Sequence, residues 1–288
     1  MTPRRSRLLL SVAATGLVAT GLVGCGAETD PAATSDEDAA PTSIPAAAGQ
    51  VRTWGPVLVL QDGPEAVACL GSVAYTAPPQ CTGQPLAGWD WAKHPEHSAR
   101  DSVRWGDFAL TGTWDGETLE VTEAVPAAEY DSEPETEESP GTPCSEPEGG
   151  WRVVDEAKAS SASLDETLRR AGQLPGYAES WLDTNDTSRP EEQILNVRVT
   201  SDVRAAEDAL RETWGGPLCV QEARYDEAQL VELTTELQEL PGVLDTSAWG
   251  DVVALAVVHD DGSVQEWVDD RYGEGRVEVR SALVAAPG

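Results

Sequence analysis

The sequence is poor in basic residues and contains very little lysine, phenylalanine or methionine. It has 19 Lys and Arg residues against 51 Asp and Glu residues, which gives a formal net charge of −32 over 288 residues. Nucleic acids and anionic lipid headgroups are bound largely through Lys and Arg side chains. The deficit therefore argues against nucleic acid as a partner and against docking on a membrane through a basic face.

Several motifs that carry well-understood chemistry are also absent from the sequence. It contains no Gly-x-x-x-x-Gly-Lys or Gly-x-Gly-x-x-Gly loop that would cradle a phosphate, and no Gly-x-Ser-x-Gly turn that would present a nucleophile. It has no Cys-x-x-Cys pair of the kind found in zinc sites. We therefore predict no cofactor, no metal site and no catalytic residues, and the protein is more readily interpreted as a non-enzyme.

The N-terminus has the pattern of a targeting segment. A basic stretch with Arg4, Arg5 and Arg7 is followed by an apolar stretch that ends in Leu22-Val23-Gly24-Cys25. This ending resembles the lipobox of bacterial lipoproteins. The resemblance implies that residues 1–24 are a signal peptide and that Cys25 receives a diacylglycerol, which would anchor the protein on the outer face of the cell membrane. The apolar stretch is short and rich in glycine for a transmembrane helix.

Two segments have the composition of spacers. Residues 25–50 are rich in Ala, Pro, Asp and Glu and lack aromatic residues, which predicts a lipidated cysteine followed by a disordered tether. Residues 127–150 are acidic and rich in proline, and like charges keep such a segment extended. We therefore predict a domain boundary there, between a small β domain at 51–126 and a second domain at 151–288.

The segment 51–126 is predicted to contain only β-strands. Val57-Leu58-Val59-Leu60 is a short apolar run that ends at a turn, and Trp114-Asp115-Gly116-Glu117 is typical of a β-hairpin. Short strands between Gly and Pro turns predict a small barrel or a sandwich, with an OB-like barrel among the options.

The segment 151–288 alternates between helix and strand patterns, so we predict an α+β protein whose second domain is a helix-covered mixed sheet. Apolar runs predict strands at Ile194–Thr200, Leu218–Val220 and Val252–Val258, the last covered on both faces. Helix starts are predicted at Ser163 with Glu166, at Asp226 with Gln229 and at Ser263 with Glu266.

Short motifs along the chain resemble a family of actinobacterial secreted lipoproteins without an assigned function. The motifs are Cys69-Leu70-Gly71, Pro78-Pro79-Gln80-Cys81, Gly88-Trp89-Asp90-Trp91, Val103-Arg104-Trp105-Gly106, Ile194-Leu195-Asn196-Val197, Trp214-Gly215-Gly216, Leu218-Cys219-Val220 and Asp270-Arg271-Tyr272-Gly273. Tyr177-Ala178-x-x-Trp181, with the strand that ends in Val199-Thr200, is similar to pro-segment modules of streptogrisin-like proteases. That similarity implies a role as an accessory or inhibitor of secreted proteases.

Five cysteines are an odd number for a secreted protein, but four remain once Cys25 is assigned to the lipid. Four cysteines allow three disulfide pairings. We favour Cys69–Cys81, which closes a short loop, and Cys144–Cys219, which ties the acidic segment to the second domain. Free buried thiols are unusual outside the cytoplasm.

The histidines are the residues most suited to chemistry. His94, Glu96 and His97 are ligand types that zinc accepts, but their spacing matches neither of the two His-Glu zinc motifs, so we predict a polar surface loop. His259 is followed by two aspartates, and we interpret it as a residue of a strand-to-helix turn.

Tryptophan is abundant, with ten residues against a single phenylalanine. We expect most of the indoles to fill the core. Trp89 and Trp91 border the histidine loop, and together with His94 and His97 they form our candidate contact surface.

The leading hypothesis is a non-catalytic binding or scaffolding lipoprotein whose partner is an envelope protein or a glycan. The alternatives are a cell-wall-directed hydrolase or transferase and an accessory or inhibitor of secreted proteases.

Overall fold

The computed structural model describes residues 39–131, 140–184 and 187–287. Within these residues the chain forms sixteen β-strands and four α-helices, and the fold is α+β as the sequence predicts. The first half is a β-barrel, and the second half contains helices packed on two small sheets. The predicted signal peptide, Cys25 and the tether up to residue 38 lie outside the described residues.

The described part of the N-terminal half contains nine strands, most of them in one sheet. They are β1 (Gln50–Thr53), β2 (Val57–Gln61), β3 (Val67–Cys69), β4 (Val73–Ala74), β5 (Gln80–Cys81), β6 (Gln84–Ala87), β7 (Ser98–Arg100), β8 (Val103–Trp114) and β9 (Leu119–Pro126). Five of them close into a ring in the order β2-β3-β6-β9-β8, with β8 returning to β2. Of the two predicted alternatives, barrel and sandwich, the structure has the barrel.

The order of the ring strands is that of an OB-like barrel. In chain order the ring strands are β2, β3, β6, β8 and β9. Around the ring β9 comes before β8, so β9 pairs with β6. This β6–β9 pairing is parallel, whereas the other neighbours in the ring are antiparallel. β8 can join several strands because it is twelve residues long and pairs with β2 and β1 along one edge and with β9 along the other.

The predicted hairpin joins β8 to β9. The Asp115 carboxylate accepts hydrogen bonds from the backbone N–H groups of Glu117 and Thr118 at 2.9 and 2.7 Å. Gly116 has a φ of +103°, a conformation that a side chain would strain. The hydrogen bond from Thr118, followed by that from Glu117, lowers the pKa of Asp115 below its ordinary value. The turn is thus fixed by the Asp-Gly pair that predicted it.

The second half contains two successive sets of elements in the same order: helix, strand, strand, helix, strand. Repeat 1 has α1 (Ser161–Ala171), β10 (Tyr177–Asp183), β11 (Ile194–Val199), α2 (Val203–Arg211) and β12 (Leu218–Glu222). Repeat 2 has α3 (Glu227–Leu237), β13 (Val243–Trp249), β14 (Val252–Val257), α4 (Ser263–Tyr272) and β15 (Val277–Ser281). Each set forms its own sheet, β10-β11-β12 and β13-β14-β15, with one antiparallel and one parallel pairing.

The two repeats match in local detail as well as in element order. Leu-Pro-Gly precedes β10 at residues 174–176 and precedes β13 at residues 240–242. Both antiparallel pairs have an irregularity at their second residue, between Tyr177 and Glu179 and between Val243 and Asp245. In each repeat the glycine carbonyl accepts a hydrogen bond from the residue after the second strand, at 2.7 and 2.8 Å. The second half is therefore two copies of one αββαβ module.

Helix α3 begins where the sequence predicts, whereas α1 and α4 are capped differently. Asp226 and Gln229 form both hydrogen bonds of a capping box. Helix α1 is capped by Ser160, whose hydroxyl accepts from the N–H of Ser163, and not by Ser163 itself. Helix α4 follows Gly262, and the preceding Asp260 carboxylate accepts from the backbone there.

Strand β14 was predicted to be covered on both faces, but only one face is fully buried. Its burial alternates, with Val253, Leu255 and Val257 against the helices and Val252, Ala254 and Ala256 half-buried on the other side. The alanines make the strand look uniformly apolar although one side of it is partly open.

The last strand of the chain returns to the barrel. β16 (Leu283–Ala285) pairs antiparallel with β1, and β1 also pairs with β8. Leu283 is 0% exposed and belongs to the same core as Phe108 and Trp114. The small β domain predicted at 51–126 is therefore completed by residues from the C-terminal end of the chain.

Truncating Leu283 is expected to destabilise the barrel, although the residue lies far from the barrel in sequence. Leu283→Ala should lower the free energy of unfolding by about 2–5 kcal/mol, because it leaves a cavity in the core. The half-buried neighbour Val284 provides the control, and Val284→Ala should cost about 1 kcal/mol or less. Urea unfolding followed by tryptophan fluorescence measures both. Equal losses for the two variants would contradict a structural role for the returning strand.

Candidate functional site

Both disulfide bridges favoured from the sequence form in the structure. Cys69 bonds to Cys81 with a Cα–Cα distance of 5.9 Å, and Cys144 bonds to Cys219 with a Cα–Cα distance of 5.8 Å. The first bridge connects β3 to β5 within the barrel region. The second fastens segment 140–150 to β12 of repeat 1. Each such closure typically stabilises a fold by about 2–4 kcal/mol.

The candidate contact surface lies on the barrel, packed on Phe108. Trp91 is 5% exposed, and its indole N–H donates to Gln61 Oε1 at 2.6 Å. His94 stacks on Trp89 with 4.4 Å between ring centroids. Both of these rings also contact Phe108, which is fully buried.

His97 completes this aromatic cluster through Trp91, at 4.9 Å between ring centroids. The structure therefore brings all four predicted residues together, as the sequence suggests, but buries Trp91 in the barrel core. Trp89, His94 and His97 are half-buried. Their part in contacting a partner stays a prediction, while the packing of Trp89 and His94 on Phe108 and of His97 on Trp91 is structural.

His259 lies between the barrel and repeat 2. It is 8% exposed, and its Nδ1 lies 2.9 Å from the carbonyl oxygen of Leu283. It occupies the strand-to-helix turn between β14 and α4, as interpreted from the sequence. The contact between its ring and β16 indicates that His259 has a structural role.

Across 39–131, 140–184 and 187–287 there is no group of three or more His, Cys, Asp or Glu side chains that could hold a metal ion. In the same part of the chain no helix is both long enough and apolar enough to cross a membrane.

A cleft that the sequence did not predict lies next to repeat 1. It has a volume of about 600 Å³ and is formed by residues 151–159 and 187–192. Trp151, Arg152 and Val153 line one part, and Thr187 and Arg189 line another. The cleft could not be found by local pattern because it joins two segments that are distant in sequence. The one local signal is Trp151-Arg152, an aromatic and a basic residue directly after the acidic segment.

The charges in this cleft are only partly neutralised by each other. Arg189 forms ion pairs with Glu192 and, at 4.0 Å, with Glu191. The Thr187 hydroxyl also donates to Glu192, at 3.0 Å. By contrast, Arg152 has no carboxylate partner among the described residues. Within the described residues the cleft therefore presents the unpaired Arg152 guanidinium beside the Trp151 indole, with the Glu156 carboxylate, which also forms no ion pair there, in the same lining.

A second depression shares Trp151 and Arg152 with the first. It has a volume of about 300 Å³, and its lining includes the Cys144–Cys219 bridge and Arg211. Burial lowers the pKa of the Arg211 guanidinium, and the Glu207 carboxylate opposes that effect. Arg211 donates to the carbonyl of Gly216 at 2.6 Å, so its side chain is held in place. Trp151 and Arg152 are the residues common to both depressions.

An ionic cluster joins the two repeats. Arg198 on β11 donates to Glu179 on β10 at 2.9 Å and to Asp251, in the turn between β13 and β14, at 2.6 Å. Only 14% of the Arg198 side chain and 16% of the Glu179 side chain are exposed. The backbone N–H of Arg224 also donates to Asp251, at 2.9 Å. Partial burial makes this cluster stronger than an exposed ion pair.

No family model matches the chain, and no curated protein matches it.

Replacing Asp251 is expected to make the free energy of unfolding fall less steeply as the pH is lowered. Burial on its own raises the pKa of this carboxyl, but hydrogen bonds from Arg198 and from the Arg224 N–H lower it below its ordinary value. A carboxyl with a lowered pKa in the folded state stabilises the fold when ionised. That stabilisation is lost as the pH falls from about 4 through the folded pKa.

The measurement is urea unfolding between about pH 6 and about pH 2, where stability depends on protons taken up by carboxylates. Asp251→Asn should lose less stability over this range than the wild type does. Asp245→Asn, which removes an exposed carboxylate on β13, is the control and should keep the wild-type slope. An unchanged slope in Asp251→Asn would show that the ionic cluster does not contribute to acid sensitivity.

Proposed function

We propose that the protein is a lipid-anchored, non-catalytic binding protein on the outer face of the cell membrane. The basic N-terminal stretch, the apolar stretch and Leu22-Val23-Gly24-Cys25 support the anchor. Two acyl chains hold a protein stably on a bilayer, whereas a single chain is marginal. The two disulfide bridges support an oxidising compartment outside the cytoplasm.

One observation supports the binding function above the others: the Arg152 guanidinium beside Trp151 in the cleft, which forms no ion pair within the described part of the chain. A guanidinium group binds carboxylates and phosphates through two parallel hydrogen bonds. An indole offers a large apolar face with a polar N–H at its edge, which is why tryptophan is enriched at interfaces. The pair suits a ligand that presents an anionic group next to a flat or apolar one. Envelope glycans and envelope proteins both offer such groups.

The lipid anchor is tested by metabolic labelling with a radioactive or clickable fatty acid. The wild type should be labelled and recovered with membranes, and Cys25→Ser should lose the label because no thiol remains for the diacylglycerol. Cys144→Ser is the matched control, since it removes a cysteine that lies within a disulfide, and it should keep the label. Labelled Cys25→Ser protein would rule out this anchor.

The Trp151–Arg152 pair, which lines both depressions, is tested by site-specific photo-crosslinking in cells from the second depression. A photoreactive amino acid replaces Val154, which is 62% exposed and lines the second depression, or Val231, which is 57% exposed on α3. A covalent adduct is expected from position 154 and not from position 231. Adding Arg152→Ala should reduce the adduct at least about tenfold, because a hydrogen bond to a charged group is lost.

Two results would contradict the Trp151–Arg152 pair as the binding site. One is adduct formation of equal yield from positions 154 and 231. The other is an adduct at position 154 that persists unchanged in Arg152→Ala, since the guanidinium would then contribute nothing.

A further inference from the structure

In repeat 1, the face of the sheet that points away from the helices is covered. This outer face contains the cross-strand row Trp181, Asn196 and Cys219. The opposite face carries Leu195, Val197 and Val199, which pack on α1 and α2. Asn196 at the centre of the row is 0% exposed, so a further part of the chain must lie over it.

The cover is an extended, proline-containing segment of the same chain. The indole N–H of Trp181 donates to the carbonyl of Gly141 at 3.4 Å, and the Thr142 N–H donates to Asp183 at 2.8 Å. Two residues further along, Cys144 is bonded to Cys219. Three successive attachments thus hold Pro140-Gly141-Thr142-Pro143-Cys144 across the outer face of repeat 1.

In repeat 2, the same face is open. The equivalent row contains Ser247, Ala254 and Glu278, of which the first and last are exposed and Ala254 is half-buried. Helices α3 and α4 pack on the opposite face, which carries Val253 and Leu255. Repeat 2 therefore has a sheet face that corresponds to the covered face of repeat 1 but lacks an equivalent of the disulfide, because Glu278 stands where repeat 1 has Cys219.

The open face continues directly from the covered one. Trp249 at the end of β13 is 54% exposed and contacts Trp181, with 5.4 Å between ring centroids and 61° between ring planes. Trp181 is the residue that holds the Gly141 carbonyl. An extended segment can thus lie on repeat 2 beside the one that already lies on repeat 1, with the two indoles between them.

We propose that the outer face of repeat 2 docks an extended, proline-containing segment of a basic partner protein. In repeat 1 the corresponding face already holds an extended segment with two prolines, Pro140 and Pro143, so a segment of the same kind suits repeat 2. An exposed tryptophan is a suitable platform because proline-rich segments bind aromatic grooves in a preformed extended conformation. The chain's own net charge of −32 supports a basic partner and opposes pairing of two copies of this chain.

The test uses a fluorescent peptide in which Pro-Gly-Thr-Pro is repeated between lysines, and fluorescence anisotropy with the full-length protein in detergent. Saturable binding is expected. Trp249→Ala should weaken it at least about tenfold, as loss of a central aromatic contact does. Ala254→Gln should do the same by filling the face. Val231→Ala, at an equally exposed position on α3, should bind as the wild type does, and thermal melts should confirm that all variants are folded.

Several results would overturn the proposal. They are no saturable binding, binding unaffected by either face variant, and equal binding of a peptide with glutamates in place of the lysines. Competition by a soluble oligosaccharide would assign the face to a glycan instead, and dimerisation lost in Trp249→Ala would assign it to a second copy. The docking face shares with the proposed function only the assumption that the protein binds a partner. Its residues and its measurement differ from those of the Val154 crosslink. Either proposal can fail without the other.

Discussion

Each αββαβ module has two helices for one three-stranded sheet, and both helices lie on the same face. The helices leave the other face of the sheet uncovered. Burial of apolar side chains favours covering that face with a different part of the molecule, and where no such part is present the face meets solvent. In repeat 1 the cover comes from segment 141–144 and from the turn at Asp251. This constraint accounts for the position of the Cys144–Cys219 bridge and for the partial burial of Arg198. The barrel closes into a ring around its own core, and β16 adds Leu283 to that core.

Local signals allowed the elements with strong caps and turns to be predicted from the sequence. The capping box at Asp226 and the Asp-Gly turn at Asp115 act through bonds between residues three or fewer positions apart, so their sequence fixes their geometry. Counting cysteines outside the lipidation site left three pairings, and the one favoured for its short Cys69–Cys81 loop is the one that forms. Helix α1 was predicted in the right region but is capped by Ser160 and not by Ser163, because serines at both positions offer the same hydroxyl.

Features that depend on distant parts of the chain were not visible in the sequence. Strand β13 reads Val-Leu-Asp-Thr-Ser-Ala-Trp, with no clear alternation, because its outer face is open to solvent. Strand β16 has three residues and is recognisable only beside β1. The duplication is hidden because few identical residues remain beyond Leu-Pro-Gly. The cleft at Trp151 arises where two separate segments meet, and Trp91 turned inward because a short helical turn points its indole at Gln61.

The attachment of the barrel to the rest of the chain has a mechanical consequence. Strand β1 lies between β16 and β8, and the residues before it are also held, since Ala47 N–H donates to the Trp114 carbonyl and the Trp114 indole donates to the Pro45 carbonyl. A pull arriving along the chain from its N-terminal side loads these bonds first and then both edges of β1. Among the described strands, β16 at the C-terminal end thus carries part of any tension applied through β1.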